Sequence, residues 1–429
     1  MAGNSPRDPG LTAARIWPAW LLLPCALLFS FFLGTHCRPQ NGGICIDPYW
    51  IDHYLSDYSQ GMARRGLLGE LHRRVLGGPL DILGLNVAAG LAVISLIWIL
   101  GASLRRRLDT SAATFALAAL ATSPLLSLFY ETMGDPLHWL MLLQLLVLPL
   151  ILRARGMAVK ILILAASALL GALVHEASIF LVAPVALLAA AGLPGNRRAF
   201  VATLLMMLAV PALGAGALMA ALPRPPQAAG AEGMEKPEAV NPLSGDRYVY
   251  KGSLTSSYAT LLEQEEGRYF GSLRGTVNLF LKPLRVFWVP FWGFILISCC
   301  AGTREFRQAL LKCWMLVSAA SLPLYVIGHD WGRFAIYSFA LGTYCACLLA
   351  PSPMEGATEI RASARLKALL AFGMIGLAYP ITRTYRINGM PLDNARPLAL
   401  VLVVSGCFIL ARIPRPALRA ALRRLACLD

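Results

Sequence analysis

The stretch SDYSQGMARRGLLGELHRR, residues 56–74, sets Asp57 a short way ahead of the guanidinium pair Arg64–Arg65. Asp52 lies just before it, in WIDHYL. A carboxylate can take the proton of an acceptor hydroxyl as general base. Paired guanidiniums suit a phosphate or diphosphate, because the planar fork matches its oxygens. Four more stretches carry ionisable groups between apolar runs. YETMGDPLHW supplies Glu131, Asp135 and His138; LVHEASIF supplies His175 and Glu176. IGHDWGRF supplies His329, Asp330 and Arg333; TRTYRINGMPLDNAR supplies Arg383, Arg386 and Asp393. Each has a plainer reading. Asp47 and Asp393 read as solvated loop residues, His175–Glu176 as a hydrogen-bonded helix cap, and His138–Trp139 as interfacial anchors. Arg64–Arg65 with Arg73–Arg74 could be a surface helix touching anionic headgroups.

The elements that must position these groups are membrane helices. The chain of 429 residues is 57% hydrophobic and 14% charged, against roughly a quarter charged in soluble domains. Apolar runs of bilayer length recur throughout. About twelve spans are expected: 16–34, 82–104, 112–130, 137–152, 161–174, 178–192, 199–222, 277–300, 310–327, 334–350, 367–382 and 397–412. No β-barrel alternation is present, so the expected fold is all-α, a polytopic transmembrane helical bundle. The first run lacks a clear cleavage site and reads as a retained helix.

The net charge of +15 is sorted by side of the membrane, which argues against nucleic acid as a partner. With the N-terminus in the cytoplasm, every inner connection is basic. These carry Arg105–Arg106–Arg107, Arg153/Arg155/Lys160, Arg197–Arg198, Arg304/Arg307/Lys312 and Arg361/Arg365/Lys367, and the C-terminal segment carries Arg412 to Arg424. Basic and acidic residues balance on the outer side, which also takes all six histidines. Residues 161–192 could form one long helix centred on His175–Glu176. Two short helices in a hairpin keep Arg197–Arg198 inside and fit better.

The expected organisation is one transmembrane domain over 1–429. It has a first outer loop, 35–80, with an amphipathic helix, and a long outer loop, 223–276. Residues 222–242 are rich in Pro, Gly and Ala, a loop composition. No internal repeat is evident. Cys299, Cys300, Cys313, Cys345, Cys347 and Cys407 read as small core residues. Cys37 and Cys45 could form a disulfide if their loop is outside.

Ionisable groups embedded between apolar helices usually pair or serve a site, because desolvating them is costly. Five such stretches fall on one face, which predicts a cavity open to the outside. A phosphate leaving group at the bilayer surface suggests a lipid-linked donor. Arg64, Arg65, Arg333 and His329 would hold its head, and its isoprenoid tail would lie between helices. Glu131, Asp135, His138, His175, Glu176 and Asp330 would contact the sugar or acceptor. Among them Glu176, Asp135 or Asp330 could instead bind a divalent cation.

The many spans, and WIDHYLSDYSQGMARRGLLG in the first outer loop, resemble the GT-C superfamily of polytopic membrane glycosyltransferases. The resemblance implies a catalytic first-loop carboxylate and a polyprenyl-phosphate sugar donor. By position Asp52 or Asp57 would be the base, and Asp57 is nearer the Arg pair. The acceptor would be a glycan, lipid or protein. The site would face the periplasm from a bacterial inner membrane, with both termini cytoplasmic. Adjacent first-loop carboxylates and a large soluble C-terminal domain, common in that superfamily, are not written here. Metal dependence and acceptor identity therefore stay open.

Four other classes remain, one of them a purely structural or partner-binding protein. A polysaccharide polymerase would use lipid-diphosphate oligosaccharides. A transporter or flippase should carry its polar groups near the midplane of repeated halves. A membrane acyltransferase would use His175–Glu176 or His329–Asp330 as a base.

Overall fold

In a computed structural model the described residues are 46, 48–55, 67–76, 81–108, 120, 129, 132–175, 177–191, 239–240, 247–248, 290–298, 303–327, 331–350, 386–387, 390–391, 406–407 and 416. Helices dominate. They are α1 (Pro48–Leu55), α2 (Leu67–Leu76), α3 (Ile82–Arg105), α4 (Pro136–Arg153), α5 (Met157–Val174), α6 (Ser178–Leu181), α7 (Ala183–Ala191), α8 (Arg304–Ile327) and α9 (Trp331–Leu349). A further helical stretch covers 290–298. Two minimal antiparallel pairs accompany them, β1 (Ala239–Val240) with β2 (Arg247–Tyr248) and β3 (Arg386–Ile387) with β4 (Met390–Pro391). Asn388–Gly389 between β3 and β4 is the residue pair favoured in tight hairpins.

Two helices among the described residues, α3 and α4, are long and apolar enough to cross a membrane. At 1.5 Å per residue, α3 is about 36 Å long. Only 33% of its most apolar window is buried, unlike the core helix of a soluble protein. Leu83, Val87, Leu91 and Ile94 line one exposed face of α3 at helical spacing. Leu146 and Leu150 on α4, and Leu311, Met315 and Leu322 on α8, are likewise exposed. Water would penalise these stripes and a bilayer would cover them. The helices over 158–174 and 333–349 are apolar but shorter.

The helix ends follow local chemistry. Asp81 caps α3, accepting from the Leu83 N–H at 3.1 Å. Thr303 Oγ1 accepts from the Phe306 N–H at 3.2 Å and starts α8. That helix begins at Arg304 rather than 310, because its first turn is charged and lies beyond the apolar run. Helix α5 likewise begins at Met157, ahead of the expected 161. Helix α5 ends at Val174, and His175 takes an extended conformation. Residues 161–192 thus form α5 followed by α6 and α7, which pack back on α5, rather than one helix.

Helix α9 is central, packing on α3, α4, α6, α7 and α8, with nearly every side chain from 333 to 347 buried. A helix apolar on all faces is a core helix. At Gly342 an added Cβ would stand 3.1 Å from Trp314 Cα, so α8 and α9 touch backbone to backbone. At the far end of the bundle Arg107 Nε donates to the Cys347 carbonyl at 3.0 Å. This satisfies one of the orphan carbonyls of the last turn of α9. Cys313, Cys345 and Cys347 are buried free thiols, as expected of core residues, whereas Cys407 is exposed. Cys37, Cys45, Cys299 and Cys300 lie outside the described residues, as do the expected spans 16–34, 199–222 and 367–382.

Candidate functional site

The turn Thr132–Asp135 leads into α4. Gly134 has φ +93°, a conformation L side chains rarely adopt. A Cβ there would also stand 2.9 Å from Ile46 Cγ2 and 3.3 Å from Trp50 Cβ. The glycine therefore serves both the turn and the close approach of Ile46 and Trp50. Asp135 follows as N-cap of α4, with Pro136 at the first helical position. Its Oδ1 accepts from the Leu137 N–H at 2.9 Å.

The other carboxylate oxygen reaches α9. Asp135 Oδ2 accepts from Arg333 Nη1 at 2.8 Å and from the Tyr337 hydroxyl at 3.0 Å. Arg333 and Tyr337 are one turn apart on α9, as Asp135 and His138 are at the start of α4, so the two pairs face each other. His138 Nε2 lies 3.0 Å from Tyr337 Oη, and Thr132 Oγ1 lies 3.2 Å from the same oxygen. Tyr337 has one proton, and the charged carboxylate is the stronger acceptor. His138 Nε2 is then the donor to Tyr337 Oη, which fixes its tautomer. Phe129 closes the group, with ring centroids 5.7 Å from His138 and 5.5 Å from Tyr337.

Burial pushes the Asp135 carboxyl up. Arg333, then His138, the Leu137 N–H and His175 pull it down further, and it ends below the usual carboxylate range. His175 is thus close enough to act on Asp135. The starts of α4 and α9 meet through the Asp135–Arg333 pair. These are ends that the charge pattern assigns to a single side.

Helix α1 sits on this cluster. Trp50, Ile51 and Tyr54 are buried, at the spacing of one helical face. The Arg333 guanidinium carbon lies 4.6 Å from the Trp50 ring centroid, a cation–π contact. The Tyr54 hydroxyl donates to the Gly134 carbonyl at 2.8 Å and accepts from Trp139 Nε1 at 2.7 Å. Burial raises the Tyr54 phenol well above its ordinary value. Helix α2 follows. Its Glu70, nearly buried, pairs with Arg73 at 2.8 Å and also with Arg74. Leu67 and Leu68 pack on the core, while Leu71 and Val75 stay exposed.

Of the expected site residues, Asp135, His138 and Arg333 come into direct contact, with His175 beside them. Asp135, His138, His175 and Arg333 are buried, at 0, 1, 4 and 4% exposure, and Trp50 of α1 packs on Arg333. His175 Nδ1 accepts from the Ala177 N–H at 3.0 Å, as in the cap reading. Asp52 belongs to α1, and its side chain is not among the described ones. Asp57, Arg64, Arg65, Glu131, Glu176, His329 and Asp330 lie outside the described residues. Among the described residues no three of His, Cys, Asp and Glu gather into a metal-binding group. Trp50, Tyr54, Thr132 and Tyr337 were not singled out from the sequence. The signals were present as aromatics four apart in PYWIDHYL and as Arg333 four before Tyr337 in RFAIY.

No family model, curated protein or solved structure matches the chain.

Proposed function

We propose that the protein is a polytopic membrane glycosyltransferase of GT-C type. It moves a sugar from a polyprenyl-phosphate donor to a glycan, lipid or protein acceptor. In this reading the chain has about twelve spans in a bacterial inner membrane, with both termini cytoplasmic and the site periplasmic.

The observation that carries the proposal is the placement of α1. The helix that contains Asp52 is seated on a buried charged cluster where the starts of α4 and α9 meet. An amphipathic helix, α2, follows it, with Leu71 and Val75 exposed beside Arg73 and Arg74. That edge suits the headgroup boundary, where a lipid-linked donor presents its phosphate.

Asp57 or Asp52 removes the proton of the acceptor hydroxyl. The acceptor oxygen bonds to the anomeric carbon as the bond from that carbon to the donor phosphate oxygen breaks. Arg64 and Arg65, with His329, take the charge of the departing phosphate. Arg333 and Asp135 are engaged with each other, so they support the site from beneath together with His138 and His175. Glu131, Glu176 and Asp330 are left to orient sugar hydroxyls or hold a divalent cation.

The test compares envelope glycans, lipids and polyprenyl-linked intermediates by mass spectrometry. Cells carry either the wild-type chain or the Asp52→Asn/Asp57→Asn double variant at matched membrane levels. Loss of one sugar residue with accumulation of its lipid-linked donor is expected. Accumulation of an oligosaccharide on a diphosphate lipid would replace the proposal with a polymerase. An unchanged profile would remove both carboxylates from the chemistry.

A further inference from the structure

Helix α1 has eight residues, too short to persist in water without tertiary support. Three ties to other elements supply that support. The Trp50 ring covers the Arg333 guanidinium at 4.6 Å. The Tyr54 hydroxyl bridges the Gly134 carbonyl and Trp139 Nε1, at 2.8 and 2.7 Å. Ile46 and the Trp50 Cβ close on Gly134, where no side chain fits. All three end on the turn before α4 or on the first turns of α4 and α9. Those turns are themselves joined by the Asp135–Arg333 ion pair.

The guanidinium thus lies between a carboxylate and an indole face, and it satisfies both. Removing the indole would uncover a buried cation. Removing the tyrosine hydroxyl would strand a buried carbonyl, which costs more unpaired than the bond itself, and a half-buried indole N–H. Asp52 lies on the same helix, between Trp50 and Tyr54.

From this geometry we infer that Trp50 and Tyr54 are positioning residues. They clamp α1 to the Asp135–Arg333 seat and so fix the first-loop backbone that carries Asp52. The role in transfer rests on the proposed function above, whereas the clamp does not. A misplacement of about 1 Å at a reacting group is enough to cost a large factor in rate.

The test uses the full chain in phospholipid nanodiscs. Amide hydrogen exchange over 46–55 is compared in the wild type, Tyr54→Phe, Trp50→Ala and Trp50→Phe. Transfer kinetics from the polyprenyl-linked sugar named by the profiling above are measured on the same samples. Tyr54→Phe should raise exchange of α1 amides about five- to a hundredfold, as loss of two net hydrogen bonds implies. Exchange in α8 should not change. The turnover number should fall with donor KM and the pH profile unaltered, because neither base nor phosphate contacts are touched. Trp50→Ala should act in the same direction, and Trp50→Phe, which returns a ring face, should restore most of both. Unchanged exchange in both Tyr54→Phe and Trp50→Ala would overturn the clamp. Raised exchange with an unchanged turnover number would overturn the positioning role while leaving glycosyl transfer standing. Absence of transfer by the wild type would instead strike the proposed function, and exchange alone would still decide the clamp.

Discussion

Asp135 accepts from a backbone N–H, a guanidinium and a phenol while fully buried. A buried pair that loses one partner leaves an uncompensated charge. Asp135→Asn keeps volume and still caps α4, yet strips Arg333 of its counter-charge. It should destabilise the chain by about 3–5 kcal/mol, measured by denaturant unfolding in detergent. The Asp135→Leu/Arg333→Met double variant should lose much less, since apolar replacement of a whole pair is often near neutral. A double-variant loss equal to the sum of the two single-variant losses would show the two groups to be uncoupled. The pH response has a definite sign. The folded pKa of Asp135 lies below its unfolded value, so its contribution is present above the unfolded pKa and fades as pH falls through the folded one. The wild-type advantage over Asp135→Asn should hold from pH 8 to about 4 and shrink only in stronger acid. Asp135, His138 and Arg333 were legible as ionisable groups at helix ends. Their partnership was not, because it joins residues 198 apart in sequence. Tyr337 and Thr132 read as ordinary core and turn residues until the fold brings them to Asp135. Asp135, His138 and Arg333 form a packed cluster, since opposite charges brought together satisfy each other, while most of the groups from which an outer cavity is expected lie outside the described residues.

Among the elements, apolar run length marked α3 and α4 to within a residue or two. It misplaced the start of α8, because charged first turns extend a helix beyond its apolar window. The break at His175 was legible only through the charge balance of the loops around it. Nothing in the sequence distinguished Gly342 from other glycines in apolar runs. The structure does, because α8 backbone lies against Gly342 and nothing lies within 4 Å of a Cβ at Gly90. Gly90→Ala should be neutral or stabilising by up to about 1 kcal/mol, through helix propensity alone. Gly342→Ala should cost about 1–3 kcal/mol, because the helices must part to admit the methyl. Thermal unfolding of the two variants separates the cases. Matching shifts would mean that α8 and α9 slide freely.

For the molecule as a whole, the exposed apolar stripes make the surrounding solvent testable. Leu91 on α3 is 59% exposed. In water, Leu91→Arg at such a surface position would change stability by no more than about 0.5 kcal/mol. In a bilayer it should cost about 2.5–3.5 kcal/mol near the helix centre. Membrane-fractionation yield of the variant distinguishes the two, and undiminished insertion would argue that this face does not meet lipid. The seat of α1 also has a temporal consequence. Tyr54 is bound by Gly134 and Trp139, and Trp50 by Arg333. A ribosome adding about 5–20 residues per second reaches Arg333 tens of seconds after Trp50. During synthesis α1 must therefore wait, half anchored, for a helix synthesised late. Translation that stalls before α9 would leave α1 unclamped and open to proteases, so membrane quality control could recognise an unfinished chain by its beginning.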